Sequence, residues 1–242
     1  MLTAESRQSD FPALAGMTYL NTAAEGIPPR AVLQALAQYG QDKLLGMDGR
    51  KRHEAQWQAV RQHAAKAFGL TPDEIGICSC SSEAFNLAAL ALQLREGDEV
   101  VINDLDFPAG ATPWLQSTCA ATVKVWRSRQ GALRVEDLQA LLTPRTRLVS
   151  ASLVSFYNGF RLPLAETIAT IRRHSHALLA LDVTQALGRI TLDLRDVDLM
   201  VSSTHKWILA SHGGGLVGVP QARAAEWTVP AGGWFNLQNA FR

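Results

Sequence analysis

The sequence predicts a three-layer α/β/α fold, in which helices cover both faces of a mostly parallel central sheet. Short apolar segments with strand character alternate with segments of helical periodicity through most of the 242 residues. Strands that are joined by helices pair in parallel and are buried on both faces. The chain is 47% hydrophobic and 19% charged, which is ordinary for a globular protein whose core needs neither disulfides nor metals.

The predicted elements follow one another with short connections. Apolar residues at helical spacing predict helices over 31–45, 54–68, 82–94, 108–118 and 164–174. Pro28 and Pro29 precede the first helix, and Gly69 stops the second. Apolar runs predict strands over 75–78, 99–103, 122–126, 148–154, 178–182, 199–202 and 216–219. This order predicts one large domain over 1–242 with a helical segment over about 1–45.

Composition and charge exclude several classes of function. Twenty-three basic residues stand against 22 acidic ones, a net charge of +1, so no basic excess predicts binding to nucleic acid or to a membrane surface. Three cysteines do not form a disulfide framework, which favours a reducing compartment. The first residues lack the apolar core of a signal peptide, and no apolar run has the length of a membrane span. We therefore expect a cytoplasmic protein.

Polar groups follow three of the predicted strands. Asp182 ends the strand over 178–182, and Lys206 follows the strand over 199–202. Serines at 79, 81 and 82 lead from the first strand into a helix, whose free N–H groups favour an anion. Ligands of open α/β sheets bind at the carboxyl ends of the strands. A carboxylate, an amine and an anion cradle at one edge are what pyridoxal 5'-phosphate (PLP) requires.

Each of these residues, taken alone, has an ordinary structural explanation. Asp182 and Ser82 are typical helix N-caps, and a single lysine such as Lys206 is usually a solvated surface residue. His205 could be a strand-end histidine, and Phe107 could belong to the core. Only the order and spacing of these residues favour a shared site.

That order resembles the class V aminotransferase family of fold-type I PLP enzymes. The family includes cysteine desulfurases, kynureninase-like hydrolases and isopenicillin-epimerase-like proteins. The resemblance runs from about residue 19 to about residue 234 and is densest where Asp182, Gln185 and Gly188 form an Asp-x-x-Gln-x-x-Gly motif, followed by His-Lys-Trp at 205–207.

The resemblance implies a role for each matching residue, and it implies no metal. Lys206 is expected to hold PLP as a Schiff base and to move the proton at the substrate Cα. Asp182 is expected to pair with the pyridine nitrogen, and Gln185 to bond the ring 3-hydroxyl. The remaining implied cofactor ligands are Ser81, Ser82, Ser203 and His205 at the phosphate, Phe107 on one face of the ring and Thr184 on the other.

The sequence also departs from the family pattern. Phe156 stands where the desulfurases have an asparagine, and the nearest asparagine is Asn158. Arg161 is expected either to meet a substrate carboxylate or to form a surface ion pair. Family members continue into a smaller C-terminal domain that carries a substrate-binding arginine and, in the desulfurases, the catalytic cysteine. Because this chain ends at Arg242, we expect that domain to be absent.

Two functions remain open from the sequence. One is a PLP-dependent enzyme, a homodimer by analogy, that acts at the Cα of a small amino-acid substrate as an aminotransferase, epimerase or lyase. The other is a non-catalytic remnant of the fold that serves as a binding or assembly partner. A dinucleotide-binding dehydrogenase is disfavoured, because the glycines at 213–215 lack the G-x-G-x-x-G spacing and precede a strand.

Overall fold

A computed structural model describes residues 3–116 and 118–238, which form one seven-stranded sheet with the order β1-β7-β6-β5-β4-β2-β3. Strands β2 to β6 run parallel to one another, and β7 is antiparallel to both β1 and β6. The strands are β1 (Ile75–Cys78), β2 (Glu99–Asn103), β3 (Thr122–Trp126), β4 (Thr146–Ser152), β5 (Leu178–Asp182), β6 (Leu199–Ser203) and β7 (Gly215–Gly218).

Helices connect these strands and precede them. Within the described residues the α-helices are α1 (Ala4–Asp10), α2 (Arg30–Lys43), α3 (Met47–Phe68), α4 (Ser81–Ala91), α5 (Pro108–Ala111), α6 (Val135–Leu141) and α7 (Leu164–His174). Short 3-10 turns cover Pro12–Leu14, Pro72–Glu74, Thr112–Leu115, Gln221–Glu226 and Trp234–Asn236. In this part of the chain no helix combines the length and the apolar character that a membrane crossing requires.

Alternating side chains of the strands build one core on each face of the sheet. Leu179 and Leu181 of β5 pack with Ile171 of α7 on one face. Leu178 and Ala180 of the same strand pack on the other face, in a core to which α4 and α5 contribute. Because strand side chains point alternately to opposite faces, this division means that helices cover both. The predicted three-layer, mostly parallel fold is confirmed.

Several boundaries differ from the predictions, and each difference has a local cause. The helix predicted over 108–118 is a single turn, α5, followed by a 3-10 turn, since Pro113 cannot donate an internal helical hydrogen bond. α3 begins at Met47 instead of 54, directly after Gly46, whose φ is +60°. α6 was missed, although its buried Leu138 packs on the core at helical spacing with Val135.

The amino edge of the sheet holds a buried acid, Glu99, whose carboxylate is bonded to side chains of the protein. Glu99 at the start of β2 accepts from Lys124 Nζ at 2.7 Å, from Arg145 Nη2 at 2.9 Å and from Thr143 Oγ1 at 2.6 Å. Burial alone would raise the pKa of Glu99, but these donors outweigh it and lower the pKa to about 2. Paired in this way, Glu99 ties three segments together at this edge.

Candidate active site

A cavity of about 120 Å³ opens at the opposite, carboxyl edge of the sheet. The ends of β5 and β6, the start of α4 and the segment after β2 all contribute to its wall. The structure brings all nine residues predicted for the cofactor to this one cavity: Ser81, Ser82, Phe107, Asp182, Thr184, Gln185, Ser203, His205 and Lys206. Strands that run in the same direction deliver their ends to a common edge, which explains why residues far apart in sequence meet here.

Lys206 is the buried amine of the cavity. Its residue is only 8% exposed, and its Nζ lies 4.9 Å from the ring centroid of Phe107. No hydrogen bond or ion pair joins this Nζ to any group within residues 3–116 and 118–238. Burial lowers the pKa of Lys206, against the opposing charges of Asp182 and Glu25. A buried amine with a lowered pKa is more often unprotonated and nucleophilic than a surface lysine.

Asp182 is the carboxyl group that faces this amine from the neighbouring strand end. Its Oδ1 accepts a hydrogen bond from the Thr184 N–H at 2.8 Å, and the residue is buried. Burial raises the pKa of Asp182, while the bonds from Thr184 and the charge of Lys206 act in the other direction. It makes no ion pair with any residue in the described part of the chain. A buried carboxyl without a cationic partner is costly and is suited to a cationic ligand.

A second carboxyl group, that of Asp106, lies near Asp182 and was not predicted from the sequence. Its Oδ1 accepts from the Ser152 N–H at 2.7 Å, and Ser152 is the register partner of Asp182. Its Oδ2 is buried and has no hydrogen-bond partner among the described residues. Burial, and then the charge of Asp182, raise the pKa of Asp106 to about 7. The sequence feature that could have indicated Asp106 is its position directly before Phe107, after the end of β2.

Hydroxyl groups and the N-terminal backbone N–H groups of α4 meet on one side of the cavity. Ser203 Oγ donates to Ser81 Oγ at 2.9 Å and accepts from the Ser81 N–H at 3.2 Å. The Ser203 N–H donates to Thr184 Oγ1 at 3.0 Å, which links β6 to the turn after β5. Cys80 is the N-cap of α4, and its side chain makes no capping hydrogen bond within the part of the chain described. The N-terminus of α4 therefore presents N–H groups and hydroxyls that favour an anion.

Gln185 has two partners that connect separate segments of the chain. Its Nε2 donates to the Ala23 carbonyl at 2.8 Å, and its Oε1 accepts from Trp207 Nε1 at 2.6 Å. The amide therefore holds the N-terminal segment against the turn that contains Lys206. One N–H of its amide remains for a ligand in the cavity.

Two residues that the sequence left as weak candidates for the site, Asn158 and Arg161, lie outside the cavity wall, whereas the aromatic residue Phe156 is part of it. Asn158 shapes its own loop, where Nδ2 donates to the Gly131 carbonyl at 2.8 Å. Arg161 lines a separate groove of about 1070 Å³. Phe156 does line the cavity, and its ring meets that of Phe107 edge to face at a centroid distance of 5.1 Å.

These groups fit the cofactor that the sequence predicts. Lys206 offers an unpaired amine to an aldehyde, and Asp182 offers an unpaired carboxyl to a pyridine nitrogen. Ser81 and Ser203 stand with the N-terminus of α4 where a phosphate would be bound. The cavity thus contains a complementary group for each reactive part of PLP.

Comparisons with known proteins agree with this chemistry. A family model described as Aminotransferase class-V matches residues 18–238. The chain is 28% identical over 233 residues to an uncharacterized aminotransferase, YcbU, of Bacillus subtilis, covering 96% of this chain and 62% of that protein. It is 30% identical over 224 residues to a cysteine desulfurase of Cronobacter sakazakii, covering 82% of this chain and 54% of that protein.

The fold also matches solved structures. A C-DES mutant with glycine covalently linked to the PLP cofactor superposes with a TM-score of 0.84 at 26% identity. The match covers 91% of this chain and 61% of that chain. The chain therefore spans about three-fifths of the length of that protein and of YcbU.

Proposed function

The chain belongs to the class-V aminotransferase family, and we propose that it binds PLP and acts as an enzyme at the Cα of an amino acid. One observation carries the proposal: within the described residues a buried amine without a hydrogen bond or ion pair, Lys206, shares a cavity with a buried carboxyl without an ion pair, Asp182. Unpaired buried charges are unfavourable for folding alone, so a ligand that pairs with both explains their presence.

Lys206 and Asp182 divide the chemistry of the site between them. When bound, PLP withdraws electrons from a bond to the substrate Cα. Lys206 would hold the cofactor through its aldehyde group, and its amine, whose pKa burial lowers, would be suited to move a proton at the substrate Cα. Asp182 keeps the pyridine nitrogen protonated, and its bond from the Thr184 N–H orients the carboxyl.

The other cavity residues hold the cofactor in position. Phe107 and Thr184 line the cavity and would hold the plane of the cofactor ring relative to the Cα bonds, Phe107 from one face and Thr184 from the other. Gln185 donates its remaining amide N–H to the ring 3-hydroxyl. Ser81, Ser82, Ser203 and His205 bind the phosphate together with the N-terminus of α4.

Covalent attachment tests the proposal directly. The purified protein titrated with PLP is expected to gain visible absorbance, and borohydride reduction should leave the phosphopyridoxyl group on the peptide that contains Lys206. Lys66→Ala, which removes an exposed lysine of α3, serves as the matched control and should be labelled like the parent. Label on other lysines, with the Lys206 peptide unmodified, would contradict the proposed attachment.

The class of reaction is tested separately with substrates. The chain covers about three-fifths or less of the curated relatives described above, so the activity of the whole protein is part of the proposal. A panel of amino acids is added to the PLP-loaded protein, and product amino acid, keto acid or racemised substrate is measured. Product formation supports the enzyme, whereas bound PLP without any product favours a binding or assembly role.

We also propose that the protein pairs with a second copy of itself. α2 and α3 expose several large apolar side chains: Leu33, Leu36, Tyr39, Trp57 and Val60 are each between 42% and 52% exposed. Tyr39, Trp57 and Val60 line one groove, and exposed apolar side chains that cluster in this way favour association. Trp57→Glu is expected to convert a dimer to a monomer in sedimentation measurements, and Glu136→Gln on the distant helix α6 should not. A parent protein that sediments as a monomer would contradict this proposal.

A further inference from the structure

Three metal-ligating side chains converge at the mouth of the cavity. Glu25, His205 and His212 each offer a ligand atom, and these atoms lie within 4.8 Å of one another. His212 Nε2 is 2.8 Å from Glu25 Oε2. The rings of His205 and His212 are stacked, with centroids 4.1 Å apart and an interplanar angle of 17°.

The loop from 204 to 214 places His212 over His205. Thr204 Oγ1 donates to the carbonyls of Ser211 at 2.9 Å and Gly214 at 3.0 Å. The Thr204 N–H donates to the same Gly214 carbonyl at 3.1 Å. These bonds close the loop on itself, so the position of His212 is set by the backbone and not by its own side chain.

The segment that carries Glu25 is fixed against the same loop. The N–H of Gly26 donates to the His205 carbonyl at 2.8 Å. A Cβ at position 26 would overlap the Lys206 carbonyl oxygen, so only glycine permits this approach. The Tyr19 hydroxyl donates to the Glu25 carbonyl at 2.7 Å and supports the segment from the other side. All three ligand groups are therefore held near one another before any ion binds.

We propose that Glu25, His205 and His212 bind a divalent transition-metal ion of the Zn²⁺ class. Two imidazoles and one carboxylate are a donor set that Zn²⁺ favours, with water at the fourth position. Glu25 and His212 are exposed, so water and ions have access to them. Coordination of one ion by both imidazoles requires the His212 ring to turn out of its stack on His205.

The site shares one residue with the proposed cofactor site. His205 lines the cavity and also belongs to the metal site, so a metal ion that takes its imidazole removes a ligand from the phosphate. Resting on the proposed function, the metal site predicts that Zn²⁺ and PLP weaken each other's binding. Thermodynamic linkage requires the two effects to be equal in size.

Calorimetric titration of the PLP-free protein with Zn²⁺ tests the site without reference to catalysis. The parent is expected to bind one ion, and His212→Gln and Glu25→Gln should each weaken binding roughly tenfold or more. His63→Gln removes an exposed histidine of α3 and should leave the affinity unchanged. Cys80→Ser should also leave it unchanged, because a thiol site would use the cysteine that lines the cavity.

The outcomes separate the metal site from the cofactor site. An unchanged affinity in His212→Gln with a folded circular dichroism spectrum, no Zn²⁺ binding by the parent, or loss of binding in Cys80→Ser would each overturn the proposal. Repeating the titration with PLP present tests the sharing of His205. Binding of Zn²⁺ that PLP does not alter would overturn that sharing but leave the metal site standing. Failure of PLP to bind at all would contradict the proposed function instead.

Discussion

The amino and carboxyl edges of the sheet differ in whether their buried charged side chains form ion pairs. At the amino edge, Glu99 has three donors. Asp198 Oδ2 lies 2.6 Å from Arg172 Nη2, and its Oδ1 lies 2.7 Å from Arg223 Nε as an ion pair without hydrogen-bond geometry. At the carboxyl edge, Lys206 has no hydrogen bond or ion pair among the described residues, and Asp106 leaves one buried oxygen without a hydrogen bond. In the described part of the chain, the sheet therefore pairs these buried acids with cations at one edge and leaves Lys206 and Asp106 without ion pairs at the other.

The pKa values follow this difference. Its donors lower the pKa of Glu99 to about 2, whereas burial and Asp182 raise the pKa of Asp106 to about 7. A charge that the protein pairs stabilises the fold, and a charge that it leaves unpaired costs stability. We infer that the amino edge serves the fold and that the carboxyl edge is arranged for a ligand.

The largest expected effect is at the paired edge. Glu99→Gln leaves Lys124 and Arg145 without their carboxylate, and we expect the free energy of unfolding to fall by about 3 kcal/mol. Chemical denaturation measures this change in the free energy of unfolding. Glu136→Gln, at an exposed position of α6, is the control and should change stability by less than about 0.5 kcal/mol.

The pH dependence of this contribution has a definite sign. The pKa of Glu99 is lowered on folding, so its stabilisation is complete above the usual value of 4.5 and is lost as the pH falls toward about 2. The difference in stability between the parent and Glu99→Gln should therefore shrink across that acidic range. A difference that stays constant with pH would show that Glu99 acts by shape and not by charge.

Removing a charge at the carboxyl edge should change the free energy of unfolding in the opposite direction. Asp106→Asn removes a charge whose Oδ2 is buried without a hydrogen bond in the described part of the chain, and we expect the ligand-free protein to gain about 2 kcal/mol near pH 8. The folded pKa of Asp106 is raised, so its contribution to stability is complete below the usual value of 3.8 and declines as the pH rises to about 7. The gain should hence be small near pH 4. A loss of stability near pH 8 would mean that Asp106 has a partner in solution.

A smaller effect is expected at the hydroxyls of the cavity. Ser203→Ala removes the hydroxyl that bonds Ser81 and that we propose as a phosphate ligand, and the affinity for PLP should fall about fivefold, equivalent to about 1 kcal/mol. Fluorescence titration with PLP measures the change. Ser202→Ala removes the neighbouring hydroxyl on β6, which is not part of the cavity wall, and should leave the affinity unchanged. Equal losses in both variants would point to a general disturbance of β6.

The sequence predicted the fold and the members of the cavity better than it predicted their interactions. The strand over 178–182 and the motif around Asp182 and Lys206 are local patterns, and the structure has the strand where it was predicted. Asp106 escaped notice because its environment depends on Ser152 and Asp182, which are distant in sequence. The cluster of Glu25, His205 and His212 depends in the same way on a loop closure and a glycine contact that no local pattern reveals.

The contrast between the two edges is tested most directly at Lys206. Lys206→Met keeps the volume of the side chain and removes the unpaired amine, and the free energy of unfolding of the ligand-free protein is the quantity to measure. Our expectation is that this variant is more stable than the parent by about 1 kcal/mol and forms no borohydride-stable adduct with PLP. A Lys206→Met protein destabilised as strongly as Glu99→Gln would contradict it, because the amine would then be a structural charge.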